Sequence, residues 1–199
     1  MNNDECVVSD TDSVLLLINK QNRLDESYVP RDLIVPNIPF SFRGYNDKKL
    51  VRYEVALALQ ELFAYANIDS VRLYAVSGYR SYNRQKTIFN RNVNKYGYEK
   101  ANEFSARAGE SEHQTGLAMD VSSRVVNMEL VESFGDTKEG KWLVDNAYKA
   151  GFIIRYPKDK MDITGYQYEP WHIRYVGLKV AKIIADNDIT LEEYIQGVI

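Results

Sequence analysis

Apolar residues recur at Val51, Val55, Ala58, Leu59, Leu62, Phe63 and Ala66, a helical spacing that predicts a long helix over 48–66 with one buried face. Residues 71–77 alternate instead, with Val71, Leu73 and Ala75 on one side, and read as a strand. Gly78 turns the chain out of that strand, and Ser81 caps a helix predicted over 82–96 that stops at Gly97. Between 101 and 116 the chain is polar and contains glycine. Leu117, Met119 and Val121 then alternate with Ala118, Asp120 and Ser122, so Asp120 faces away from the apolar side of a strand. A helix over 139–150 ends at Gly151, a strand follows at 152–156, a loop at 158–160 and another strand at 166–176. Residues 177–186 are amphipathic, and Thr190 with Glu193 forms a capping box for a last short helix. Upstream, Val14 to Ile18 reads as a buried strand, and Pro30, Pro36 and Pro39 exclude helix from the segment after it. This irregular order predicts an α+β fold, not a regular βαβ alternation.

The chain has 199 residues, of which 45% are hydrophobic and 12% aromatic, enough for a single buried core. We expect one domain over 13–199, preceded by a polar, mobile segment over 1–12. A net charge of -3 speaks against a nucleic-acid backbone binder. The one cysteine, Cys6, cannot form an internal disulfide. The longest apolar run is far short of the roughly 20 residues that span a bilayer, and the acidic start Met1-Asn2-Asn3-Asp4-Glu5 is unlike a signal peptide.

Candidate chemistry gathers around the two histidines. His113 lies in Ser111-Glu112-His113-Gln114-Thr115-Gly116-Leu117-Ala118-Met119-Asp120, and His172 in Glu169-Pro170-Trp171-His172. A hydrolytic zinc needs three protein ligands, an open position and a base outside the ligand set. His113, Asp120 and His172 can be the ligands, with Glu169 or Glu112 as the base. The spacing of His113 and Asp120 does not fit neighbouring positions on one helical turn, so the ligands must converge from a loop and two adjacent strands. Pro170 biases Glu169 toward extended backbone, which excludes a helical HExxH arrangement. Arg80, at a strand-to-helix junction, is a natural partner for a C-terminal carboxylate or a developing oxyanion, and Gln85 follows on the first turns of the helix.

These segments, taken with Ser77-Gly78-Tyr79-Arg80-Ser81, resemble in order the motifs of the VanY-like zinc D-alanyl-D-alanine carboxypeptidases, a pattern shared with peptidoglycan L,D-carboxypeptidases. The resemblance begins near Asn19-Lys20, continues through Tyr28-Val29-Pro30-Arg31-Asp32-Leu33 and ends near Gly177. It implies a Hedgehog/DD-peptidase-like α+β fold, in which an antiparallel sheet carries a Zn2+ site and helices flank it. It also implies Glu169 as the base and Arg80 and Gln85 as substrate contacts, with Ser111, Ser105 and Tyr156 lining the same pocket. Tyr79 and Trp171 are expected to pack behind the ligands. The implied activity is release of C-terminal D-alanine from peptidoglycan stem peptides. D,D-cleavage is the first expectation and L,D-cleavage of tetrapeptide stems the alternative. A reading from another class, a zinc-stabilised binding module, has no use for an outer carboxylate such as Glu169. The implied substrate lies outside the membrane, so the full-length protein is expected to be extracytoplasmic, with a signal or anchor beyond these residues, and monomeric by default.

Overall fold

The computed structural model describes residues 6–8 and 11–198. Short pairings open the chain: β1 (Cys6–Val7) runs parallel to β2 (Asn22–Arg23), and β3 (Leu33–Ile34) antiparallel to β4 (Val51–Arg52). There follow α1 (Tyr53–Ile68), β5 (Tyr74–Ser77), α2 (Tyr82–Tyr96), α3 (Tyr98–Phe104), β6 (Ala118–Ser122), α4 (Lys138–Asn146) and β7 (Phe152–Tyr156). The chain closes with α5 (Met161–Thr164), β8 (Glu169–Tyr175), α6 (Leu178–Asn187) and α7 (Leu191–Ile195). Of the segment 1–12, expected to be mobile, residues 1–5, 9 and 10 lie outside the described residues.

The central sheet is antiparallel, in the order β5-β6-β8-β7. Its register divides the two faces. Met119 pairs with Ile173, and both are fully buried in the cluster that includes Val55, Leu59, Leu62 and Phe152. One residue along, Asp120 pairs with His172 on the opposite face, and beyond it Tyr156 pairs with Glu169. Because side chains alternate along a strand, the packing that fixes Met119 and Ile173 in the core also fixes Asp120 and His172 on the other face. That second face is buried too, since every residue of β6 is inaccessible.

Local signals were accurate where capping chemistry sets the boundary. Ser81 Oγ accepts from Arg84 N–H at 3.3 Å and α2 runs to Gly97, while the Thr190–Glu193 capping box makes both of its bonds. Tertiary contacts moved others. The helix expected from 48 begins at Tyr53, because Arg52 N–H donates to Gly116 carbonyl at 3.0 Å and holds 51–52 extended. Residues 14–18 form no strand. Leu16 and Ile18 are buried, but the Val14 and Leu16 carbonyls accept from Arg174 Nη2 at 2.9 and 2.7 Å, so a side chain satisfies this main chain. The polar stretch 101–116 holds the end of α3 and a 3-10 turn over Glu112–Thr115. Among the described residues, no helix is long and apolar enough to cross a membrane.

Candidate metal centre

Three segments bring His113, Asp120 and His172 together. Asp120 and His172 are cross-strand neighbours on β6 and β8, and His113 arrives on the 3-10 turn that Gly116 ends in a left-handed conformation, φ 68°. All three are buried, and one donor atom from each lies within 4.8 Å of the others. Asp120 sits between the rings, with Oδ2 3.3 Å from His113 Nε2 and Oδ1 3.0 Å from His172 Nδ1.

The far nitrogen of each ring is also held. His113 Nδ1 donates to Gly78 carbonyl at 2.7 Å, leaving Nε2 to face Asp120 with its lone pair. Gly78 is required there, because a Cβ would lie 2.4 Å from Leu50 carbonyl oxygen. His172 Nε2 lies 3.5 Å from Glu112 Oε2, which leaves Nδ1 toward the cluster. Glu112 is in turn clamped: its Oε1 accepts from Arg155 Nε at 2.7 Å and Arg174 Nη1 at 2.5 Å. Arg155 makes a second, bidentate pair with Glu192 on α7, at 2.8 and 2.6 Å, and Asn19 Nδ2 donates to the same carboxylate at 3.3 Å. Two guanidinium and two carboxylate groups therefore balance in a buried network directly behind His172.

Electrostatics separate the carboxylates. Burial alone would raise Asp120, yet His113 and His172 hold it well below the usual carboxylate range. Burial is likewise outweighed at Glu112 by Arg174 and Arg155, which keep it ionised. Glu169 differs. Burial, reinforced by the charges of Asp120 and Glu112 and opposed by His172 and Arg80, pushes its carboxyl up to about 7. Its Oε2 is 3.9 Å from His172 Nδ1, at the edge of the cluster. At His172, burial opposes protonation, but hydrogen bonds to Asp120 and Glu112 prevail and lift the ring to about 9. The surroundings of His172 thus favour its protonated form, whereas burial disfavours that of His113.

Arg80 faces the cluster from the turn after β5. Its Nη1 donates to Gln85 Oε1 at 2.8 Å, Nη2 donates to Ser77 Oγ at 3.3 Å, and Nη2 is 3.9 Å from Asp120 Oδ2. Gln85 is anchored by donating to Ala106 carbonyl at 2.6 Å, so within the chain it braces Arg80. A cavity of about 210 Å³ is lined by Arg80, Gln85, Ser105, Ser111 and Tyr156 together with Glu169 and the His113, Asp120, His172 cluster. Every ligand, base and substrate-contact candidate named from the sequence, Glu112 included, lines it. Tyr79 is buried, and Trp171 packs against the core while also lining the cavity.

The network of Arg155, Arg174 and Glu192, and the cavity residue Tyr166, escaped the sequence reading. Arg155 and Arg174 each interrupt an apolar strand, a pattern that does signal a buried charge in need of a partner. Nothing in the local sequence identifies Glu192 as that partner, because it comes from the last helix.

The D-alanyl-D-alanine carboxypeptidase family VanY matches residues 48–178, which include all three cluster residues and Glu169. The chain belongs to the VanY family. It is 56% identical over 191 residues to YodJ of Bacillus subtilis (strain 168), covering 96% of this chain and 70% of that protein. Its fold matches the structure of the LD-carboxypeptidase LdcB with a TM-score of 0.92 and 55% identity, over 96% of this chain and 89% of the other. It also matches a vancomycin-resistance D,D-pentapeptidase VanY solved in complex with Zn(II), with a TM-score of 0.76 and 34% identity, over 92% and 98%. This chain is thus a member of a carboxypeptidase family, one of whose solved relatives holds Zn(II). The donor set fits that ion: two imidazole nitrogens with fixed tautomers and one ionised carboxylate converge on one side.

Proposed function

We propose that the protein is a zinc carboxypeptidase that releases the C-terminal D-alanine of peptidoglycan stem peptides, with His113, Asp120 and His172 as its ligands. The observation that supports this most is one cavity bordered by the donor set, by Glu169 outside it and by Arg80. Held by the triad, zinc would supply Lewis-acid polarisation of the scissile carbonyl and acidify water. Glu169, poised near neutrality, takes a proton from the attacking water and hands it to the departing amine of D-alanine as the carbon–nitrogen bond breaks. Arg80, steadied by Gln85 and Ser77, offers its guanidinium to the substrate's terminal carboxylate or to the developing oxyanion. Glu112 is unsuited to act as the base, because both guanidinium groups hold it ionised and committed. It fixes the tautomer of His172 instead. A zinc-stabilised binding module would need neither Glu169 nor Arg80 in this cavity.

Between the two bonds that end in D-alanine, we favour L,D-cleavage of tetrapeptide stems. The likeness to LdcB, an LD-carboxypeptidase, exceeds that to the D,D-pentapeptidase in both identity and TM-score. D,D-cleavage, the first expectation from the motifs, is the second reading, supported by 37% identity to a D-alanyl-D-alanine carboxypeptidase of Enterococcus faecium, of which this chain spans 56%. Site of action at the cell wall follows from the same substrate. Incubation with defined tetrapeptide and pentapeptide muropeptides, followed by product masses, tests these readings. Loss of one D-alanine from the tetrapeptide is expected. Cleavage of the pentapeptide alone would reverse the choice, and equal cleavage of a C-terminally amidated peptide would overturn the assigned role of Arg80.

A further inference from the structure

Beside the catalytic cavity lies a second one, of about 510 Å³, bordered by Lys48, Arg84 and Arg91 and sharing Arg80 and Ile88 with the first. The two cavities are therefore neighbours, with Arg80 and Ile88 lining both. Four cations line the second and only one acid, Asp47, although the whole chain carries a net charge of -3. Among the described residues, no carboxylate forms an ion pair with Lys48, Arg84 or Arg91. Arg84 and Arg91 are exposed and stand seven residues apart on α2, two turns along one helical face, with Ile88 between them.

The placement of Arg84 is costly for the helix by itself. It lies in the first turn of α2, which holds no acid, and a cation at that end opposes the helix dipole. Positive potential from the helix terminus and the side chains adds up in one concave place, where Asp47 is the one carboxylate among the lining residues. An anion entering from solvent is the group such a cleft attracts.

We propose that this cleft is a carboxylate subsite that selects stem peptides bearing an ionised carboxylate in addition to the terminal one, with Arg84 and Arg91 as its specificity-determining residues. The inference rests on the proposed function and deepens it. Two stem positions can supply the group: the α-carboxylate of a γ-linked D-glutamyl residue and the side-chain carboxylate of a diaminopimelyl residue. Both are masked by amidation, which removes the charge and leaves the shape nearly unchanged.

The test compares kcat/KM on matched stem peptides, amidated or free at one of these positions at a time, for the zinc-loaded native protein and for R84Q/R91Q. In one arm the native protein should prefer the free carboxylate by roughly tenfold, the scale of one charge-assisted contact. That preference should shrink as salt is raised, since the cleft is open to solvent. In R84Q/R91Q the ratio should approach one, with melting temperature and zinc content matching the native protein. A native ratio near one in both arms, or a ratio unaltered in R84Q/R91Q, would overturn the subsite while leaving the carboxypeptidase reading intact. Cleavage of none of the peptides would overturn both.

Discussion

Replacing Glu112 by Gln removes one charge and almost no volume from the network behind His172, so its consequences can be worked out atom by atom. Glu112 Oε1 accepts from two guanidinium groups, at 2.7 and 2.5 Å, and Oε2 faces His172 Nε2 at 3.5 Å. The Gln carbonyl must stay with the guanidinium groups, which only donate, and this turns the amide NH2 toward His172. His172 Nε2 would then have to accept, which moves the ring proton to Nδ1, the nitrogen that faces Asp120. A ligand nitrogen cannot carry that proton, so zinc affinity should fall by about 10- to 100-fold, the usual cost of losing such an outer partner. Leaving Arg155 and Arg174 short of a counter-charge in a site with no exposure should cost about 3–5 kcal/mol. For a chain of this size that is a loss of roughly 6–20 °C in melting temperature. Glu192→Gln is the control, because Glu192 pairs with Arg155 but has no contact with His172. Its melting temperature should also fall, while zinc affinity stays native. Thermal melts of chelator-treated protein and zinc competition against a chromogenic chelator measure the two effects separately. Native zinc affinity in Glu112→Gln, or equal losses in both variants, would refute the orienting role.

Glu169→Gln should retain zinc and fold but lose roughly 10²–10⁴-fold in kcat, the share of a general base. In the native protein the acidic limb of kcat/KM should report one ionisation with its midpoint at or below about 7, because Glu169 works as the carboxylate and a cation in the triad favours that form. A limb persisting in Glu169→Gln would point to another base. His113→Ala with His172→Ala should abolish zinc binding, read by metal analysis after dialysis, and full stoichiometry would exclude the triad as ligands. Arg80→Ala and Arg80→Lys should both lower kcat/KM with zinc content unchanged, since an ammonium cannot present the same planar fork. Native kcat/KM in both would exclude Arg80 from the reaction.

Much of this protein was determined by local sequence. Alternation through 117–122 set which side of β6 is apolar, and hence that Asp120 points the other way. The Ser81 cap, Gly97, the αL glycine at 151 and the Thr190–Glu193 box act over a few residues and need no tertiary partner, so the elements they bound were legible. The residues of the cavity were legible too, because their types match the chemistry and their motifs resemble a family. What only the tertiary structure decided is pairing over long sequence distances. Residues 14–18 are apolar enough for a strand, but among the described residues no strand pairs with them, and Arg174 takes up two of their carbonyls instead. Glu112 and Glu169 are the same residue type beside the same histidine, and the sequence offered both as the base. Their roles diverge because Arg155 and Arg174 clamp one, whereas at the other burial outweighs the pull of His172 and Arg80. A carboxyl group's chemistry is set by the charges within a few ångströms of it, and those neighbours arrive from β7, β8 and α7, where no local pattern could announce them.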